Sequence, residues 1–163
     1  MERVNRILHN TLYIDHIKRI EELEIDRIYC HHDISHFVDV ARIAMILAAE
    51  ESILDENLNK SVIYAAALLH DIGRDVQYLE GTEHEIASSM IAPEILKQAG
   101  YNENEIELIT EAILEHGNEH VKQRKDLTGI IYRGDKLSRR CYACTAANTC
   151  HKAEEKRNMN IVY

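Results

Sequence analysis

Proline occurs once, glycine six times and tryptophan not at all among the 163 residues. So few turn-forming residues exclude the many tight connections of an all-β chain and predict helices joined by short loops. No apolar run approaches the roughly 18 residues that a membrane span requires. The opening MERVNRILHN is charged throughout and has no signal-like apolar stretch, so a cytoplasmic location without a membrane partner is expected. Cationic side chains are the minority, 19 Lys and Arg against 28 Asp and Glu, for a net charge of −9. That balance disfavours a nucleic-acid polymer as partner. The acids crowd into residues 102–119, whereas RGDKLSRR (133–140) and KAEEKR (152–157) cluster basic residues, a local strip better matched to a small anion.

What the chain does have is ten histidines and four cysteines. Its length fits one domain over 1–163, read as an all-α, compact bundle of about six helices with a core at about 33–140 and a cysteine-containing tail, 141–163, packed on it. Apolar spacing predicts a long helix over 3–23. A second follows the N-cap Asp33 through ISHFVDVARIAMILAAEE, and a third runs from Asn59 to His70, stopping near Gly73 in a left-handed turn. Thr82 and Glu85 have capping-box spacing for a fourth helix, broken or kinked at Pro93. Asn102 and Glu105 repeat the box for a fifth, ending near Gly117, and a sixth starts at about Asp126.

Five of these helices bring an imidazole or carboxylate to an end or an inward face: His36, the pair His70 and Asp71, His84, His116 and Asp135. Each alone has an ordinary structural reading: a hydrogen-bonded core histidine for His36, half of an ion pair for Asp135, capping or helix-end residues for the others. Together they form the kind of mixed set that a divalent transition metal (Fe, Mn, Zn, Ni or Co) would hold, since one cation compensates all of them at once.

The order His36, then LLHDIGR with His70 and Asp71, then IIYRGDKLSR with Asp135 resembles the HD-domain superfamily of metal-dependent phosphohydrolases, over about Asp33 to Arg140. The resemblance implies that His36, His70, Asp71 and Asp135 bind one metal. A subset of that superfamily has two further histidines holding a second metal. His84 and His116 match these in order, with Asp71 then bridging and His120 as a rival to His116. The activity implied is attack on phosphorus by a metal-activated water, with Asp71 at the metals and Lys136, Arg139 and Arg74 neutralising developing charge. Arg74 departs from the lysine found there in many relatives.

The tail supplies Cys141 and Cys144 as C-x-x-C, then Cys150, and Cys30 stands six residues before His36 as Cys141 stands six after Asp135. On neighbouring antiparallel helices such offsets would bring the four together as a structural zinc site or iron–sulfur cluster. Free, inert thiols are the alternative. The function expected is hydrolysis of a small phosphorylated substrate, a nucleotide by preference. The alternatives are a non-catalytic metal- or nucleotide-binding regulatory module and di-iron oxygenase-type chemistry on the same ligands. Oligomeric state stays open, a homo-oligomer included.

Overall fold

The computed structural model describes residues 1–163 and contains eight α-helices and no strand: α1 (Glu2–Leu8), α2 (Thr11–Leu23), α3 (Ile34–Glu50), α4 (Lys60–Leu69), α5 (Arg74–Glu80), α6 (His84–Ala99), α7 (Glu103–Glu115) and α8 (Leu127–Leu137). Short 3-10 turns precede α8 and continue along the tail. No helix is long and apolar enough to cross a membrane.

Side-chain caps start most of the helices. Asp33 accepts from the His36 amide, Asn59 from Ser61 and Val62, and Asp126 from Gly129. Asn102 and Glu105 complete a reciprocal capping box, and Glu105 also takes a bidentate bond from Arg3 at 2.6 and 2.8 Å, tying α1 to α7. The predicted helix boundaries need correction in four places. The helix predicted over 3–23 is two helices, because Asn10 adopts an extended backbone and caps α2 through the Tyr13 amide. Thr82 and Glu85 form no box: α6 starts after Glu83, which makes no side-chain cap bond, and Glu85 turns to His84 instead. Pro93 does not interrupt α6, since the completely buried Ala92, Ile95 and Leu96 offset the one backbone bond that a proline removes. Residues 74–80, given no helix by the apolar pattern, form α5 between Gly73 and the left-handed Gly81.

The core is built around α4, whose run from Ala65 to Leu69 is at most 1 % exposed. α3, α7 and α8 pack against it, α6 lies on α7, and α5 links α2 to α6. A helix this apolar can end only inside the protein, so its last turn delivers His70 and Asp71 to the interior, at 0 % and 1 % exposure. Two glycines let neighbouring elements approach that end. Gly73 has φ −89°, which is not the left-handed conformation expected. It is needed because a Cβ there would stand 2.5 Å from the Ser88 backbone nitrogen of α6. At Gly134 a Cβ would meet the Val40 carbonyl at 3.0 Å, so this glycine draws α8 close to α3 beside Asp135.

Candidate metal centre

Asp71 sits at the middle of the site. Its Oδ2 lies 3.2 Å from His70 Nε2, while its Oδ1 lies 3.2 Å from His84 Nε2 and 3.5 Å from His116 Nε2. The carboxylate therefore faces two groups of donors. His36, His70 and Asp71 form one group with donor atoms all within 4.8 Å of one another, and Asp71, His84 and His116 form another. Asp135 belongs to neither tight group but meets the first through His36 Nε2 at 3.6 Å. The structure thus gathers all six residues expected from the sequence, and leaves His120 exposed at the surface.

The imidazoles are held in the form that a metal needs. His70 Nδ1 stands 2.7 Å from the Ala67 carbonyl, and His116 Nδ1 stands 2.6 Å from that of Ile113. A carbonyl only accepts, so each Nδ1 must be the protonated nitrogen, and a neutral ring then carries its lone pair on Nε2, toward Asp71. The buried Nε2 of His70 has no hydrogen-bond partner, and a buried polar atom of that kind calls for a ligand. His84 Nδ1 lies 2.9 Å from Glu85 Oε2 but without hydrogen-bond geometry.

Electrostatics point the same way. Burial disfavours ionisation of Asp71, yet His70, Arg74 and His116 hold its carboxyl well below the usual carboxylate range. Asp135 is likewise kept ionised, Lys136 and His70 outweighing its burial. Burial, with His70 nearby, lowers the His36 imidazole to about 4, and burial also lowers His84. For His70 the burial penalty is overcome by Asp71, which raises its pKa. Two ionised carboxylates beside His36 and His84, which burial disposes to the neutral form with a lone pair, make a donor set suited to a divalent cation. That cation would replace the proton that Asp71 favours on His70, and the residues fit one.

Arg74, Lys136 and Arg139 all reach the carboxylates. Arg74 Nε donates to Asp71 Oδ1 at 2.9 Å, Lys136 pairs with Asp135 Oδ2, and Arg139 lies 3.9 Å from the same oxygen. They line a pocket of about 640 Å³ together with His36, His84, His116 and Asp135. Seven Lys and Arg side chains border this pocket against four acids, on a chain whose net charge is −9.

One residue of the site went unnoticed in the sequence. His32 is 8 % exposed. Its Nε2 points at Asp71 Oδ2 from 3.7 Å, and its Nδ1 is held by Glu24 Oε1 at 2.5 Å. Glu24 is fixed in turn by the His32 amide and the Tyr78 hydroxyl. A carboxylate on one ring nitrogen with the other aimed at the site is the arrangement that orients metal-binding histidines. The paired His31 and His32 just before the cap Asp33 were its only local signal.

The four cysteines are free thiols. Cys30 and Cys141 lie in a loop and a 3-10 turn rather than on antiparallel helices, yet all four border the same pocket.

Comparison with known proteins adds the following. The family profile described as HD domain matches residues 33–140. The chain is similar, at 45 % identity over the whole of both chains, to a Clostridium beijerinckii protein described as uncharacterized. It also matches ribonuclease Y of Enterococcus faecalis, at 30 % identity over 79 % of this chain, and that of Opitutus terrae, at 28 % over 84 %. It spans only 22 % and 24 % of those two proteins. No solved structure matches.

Proposed function

The chain belongs to the HD-domain family, and from that premise we propose that it hydrolyses a phosphate bond of a small phosphorylated substrate of the nucleotide class. The observation that carries this reading is the buried, two-faced Asp71 carboxylate, whose partners Arg74, His84 and His116 border a cation-lined pocket. His36, His70 and Asp71, with Asp135 beside them, would hold one metal, and Asp71, His84 and His116 a second, with Asp71 shared. A divalent metal there supplies Lewis acidity toward a phosphoryl oxygen and acidifies water near neutral pH.

The remaining steps fall to the chain's own groups. Arg74 and Lys136 fix the orientation of Asp71 and Asp135, and with Arg139 they present positive charge where a phosphoryl group gains negative charge. The Ala67 and Ile113 carbonyls keep His70 and His116 turned toward Asp71. A pocket of about 640 Å³ is in the range that encloses a small-molecule ligand. The ribonuclease Y relatives are named for action on RNA. The acidic balance of this chain favours a nucleotide over a polymer.

The test is phosphate release from a panel of nucleoside mono-, di- and triphosphates by the full chain loaded with Mn, Fe, Co or Ni. Turnover is expected with at least one metal. Asp71→Asn should lower it about 10³-fold, the equivalent of several kcal/mol of Lewis-acid stabilisation. Metal binding without any phosphate release across the panel, or an Asp71→Asn variant as active as the parent, would refute the reading.

A further inference from the structure

We infer that Cys30, Cys141, Cys144 and Cys150 ligate a four-iron, four-sulfide cluster that forms one wall of the pocket. This does not depend on the phosphohydrolase reading.

The tail is the first ground for it. None of residues 141–163 is buried, and its only regular structure is three 3-10 turns of three residues each. It is nonetheless held to a defined course. The Asn158 side-chain amide reaches the carbonyls of Lys136, Leu137 and Arg139 at 2.9–3.1 Å, and the Asn158 carbonyl accepts from the Tyr142 amide. Segments with shape but no apolar core are characteristically fastened by metal ligation.

The placement of the thiols is the second. Cys141 and Cys144 lie on one tight turn closed by the Cys144 amide on the Cys141 carbonyl, and the next turn presents Cys150. Cys30 comes from a segment more than a hundred residues away in the chain. It is brought in by Tyr29, whose hydroxyl donates to the Thr149 carbonyl at 2.7 Å and whose ring meets His151 edge-on at 5.5 Å. Cys30 itself has φ +43°, a backbone conformation rare for a residue with a Cβ and kept only where its surroundings impose it. Cys30, Cys141, Cys144 and Cys150 thereby all border the one pocket.

Spacing separates the cluster from zinc. A tetrahedral zinc with bonds of about 2.3 Å needs sulfurs about 3.8 Å apart, and no three of the thiols come within 4.8 Å of one another as the donors of the two histidine–aspartate sets do. In a four-iron cluster each thiolate takes its own iron, so the sulfurs stand farther apart. Lys152 and Arg139 beside Cys30, with Arg157 on the same wall, supply positive charge to an anionic cluster.

Full-length protein purified anaerobically is assayed for iron, zinc and acid-labile sulfide. We expect about four sulfides per chain, lost in Cys144→Ser and in Cys30→Ser but kept in His70→Ala, with the helical circular dichroism of the cysteine variants unchanged. Wild-type protein without acid-labile sulfide, even after reconstitution with iron and sulfide, overturns the cluster. One zinc per chain that Cys144→Ser removes overturns it equally. Full sulfide in Cys30→Ser removes the fourth ligand and with it the assignment.

Discussion

Replacing Gly73 by alanine separates two reasons for a glycine. With φ −89° and ψ 11° the backbone suits any residue, so conformation alone predicts no cost and a slight gain from a stiffer unfolded chain. Space predicts the opposite. The added Cβ would stand 2.5 Å from Ser88 N and 2.6 Å from Ala87 Cβ, against the 3.5–4.0 Å at which carbon atoms pack, so α6 must retreat by about 1 Å. Overpacking of this kind costs about 1–3 kcal/mol. The Gly73 amide also donates to Ser88 Oγ at 2.9 Å, a bond worth about 1 kcal/mol when lost. Together they lower stability by about 2–4 kcal/mol, or the melting temperature by about 5–15 °C for a domain of this size. His84 opens α6 three residues before Ala87, so the retreat also pulls its Nε2 away from Asp71. Calorimetry with metal analysis reads both effects. Ser88→Ala, which removes only the hydrogen bond, should cost about 2–4 °C and leave metal content alone. A Gly73→Ala protein melting within about 2 °C of the parent, with metal content unchanged, would show that the approach of α6 does not dictate this glycine.

Glu24→Ala, which removes the carboxylate that aims His32 at Asp71, should weaken Mn binding at the His36, His70 and Asp71 group about 10–100-fold, the usual cost of losing an orienting partner, and titration calorimetry showing no change would remove the Glu24–His32 pair from the site. Glu24 provides a pH test: burial opposes its ionisation, but the bonds from His32 and Tyr78 lower it from 4.5 to about 2. A depressed carboxylate stabilises the fold fully above its unfolded value, and that contribution fades as pH falls from about 4.5 to about 2. Glu24→Gln should therefore be less stable than the parent at neutral pH, by on the order of 2 kcal/mol, and the gap in denaturant midpoint should close on acidification; a gap that widens in acid would contradict the assignment.

Four helix starts that one side chain decides were readable, and a fifth, the Asn10 cap of α2, was hidden by the apolar period that runs across it. Asp33, Asn59, Asp126 and the Asn102–Glu105 box act within three residues of themselves. At Pro93 distant packing overrules local pattern: proline should break α6, yet burial of its neighbours carries the helix through. The six residues that the structure gathers around Asp71 were readable as one group because they follow one another in a recognisable order near helix ends. His32 was not, because its meaning depends on Glu24 eight residues before it and Asp71 well beyond it, a juxtaposition that only the tertiary fold creates. Gly73 marked a helix stop correctly and for the wrong cause, the cause being a backbone fifteen residues downstream.

The helix ends also explain why histidine works at these positions. α4 ends at Leu69 and α7 at Glu115, so His70 and His116 each stand one residue past a helix. A helix leaves its last four carbonyls without backbone donors, and Ala67 and Ile113 are among them. The imidazole Nδ1 reaches back three residues to supply the donor. That one bond satisfies an orphaned carbonyl, places the proton on Nδ1 and turns Nε2 outward from the helix end. Terminating a buried helix and turning an imidazole nitrogen toward Asp71 are here a single interaction, repeated on two helices whose ends meet at Asp71. Asparagine at either position can satisfy the carbonyl but offers no ring nitrogen, so His70→Asn and His116→Asn should keep most of the stability and lose the metal, whereas a site assembled merely to hold the fold together would lose both.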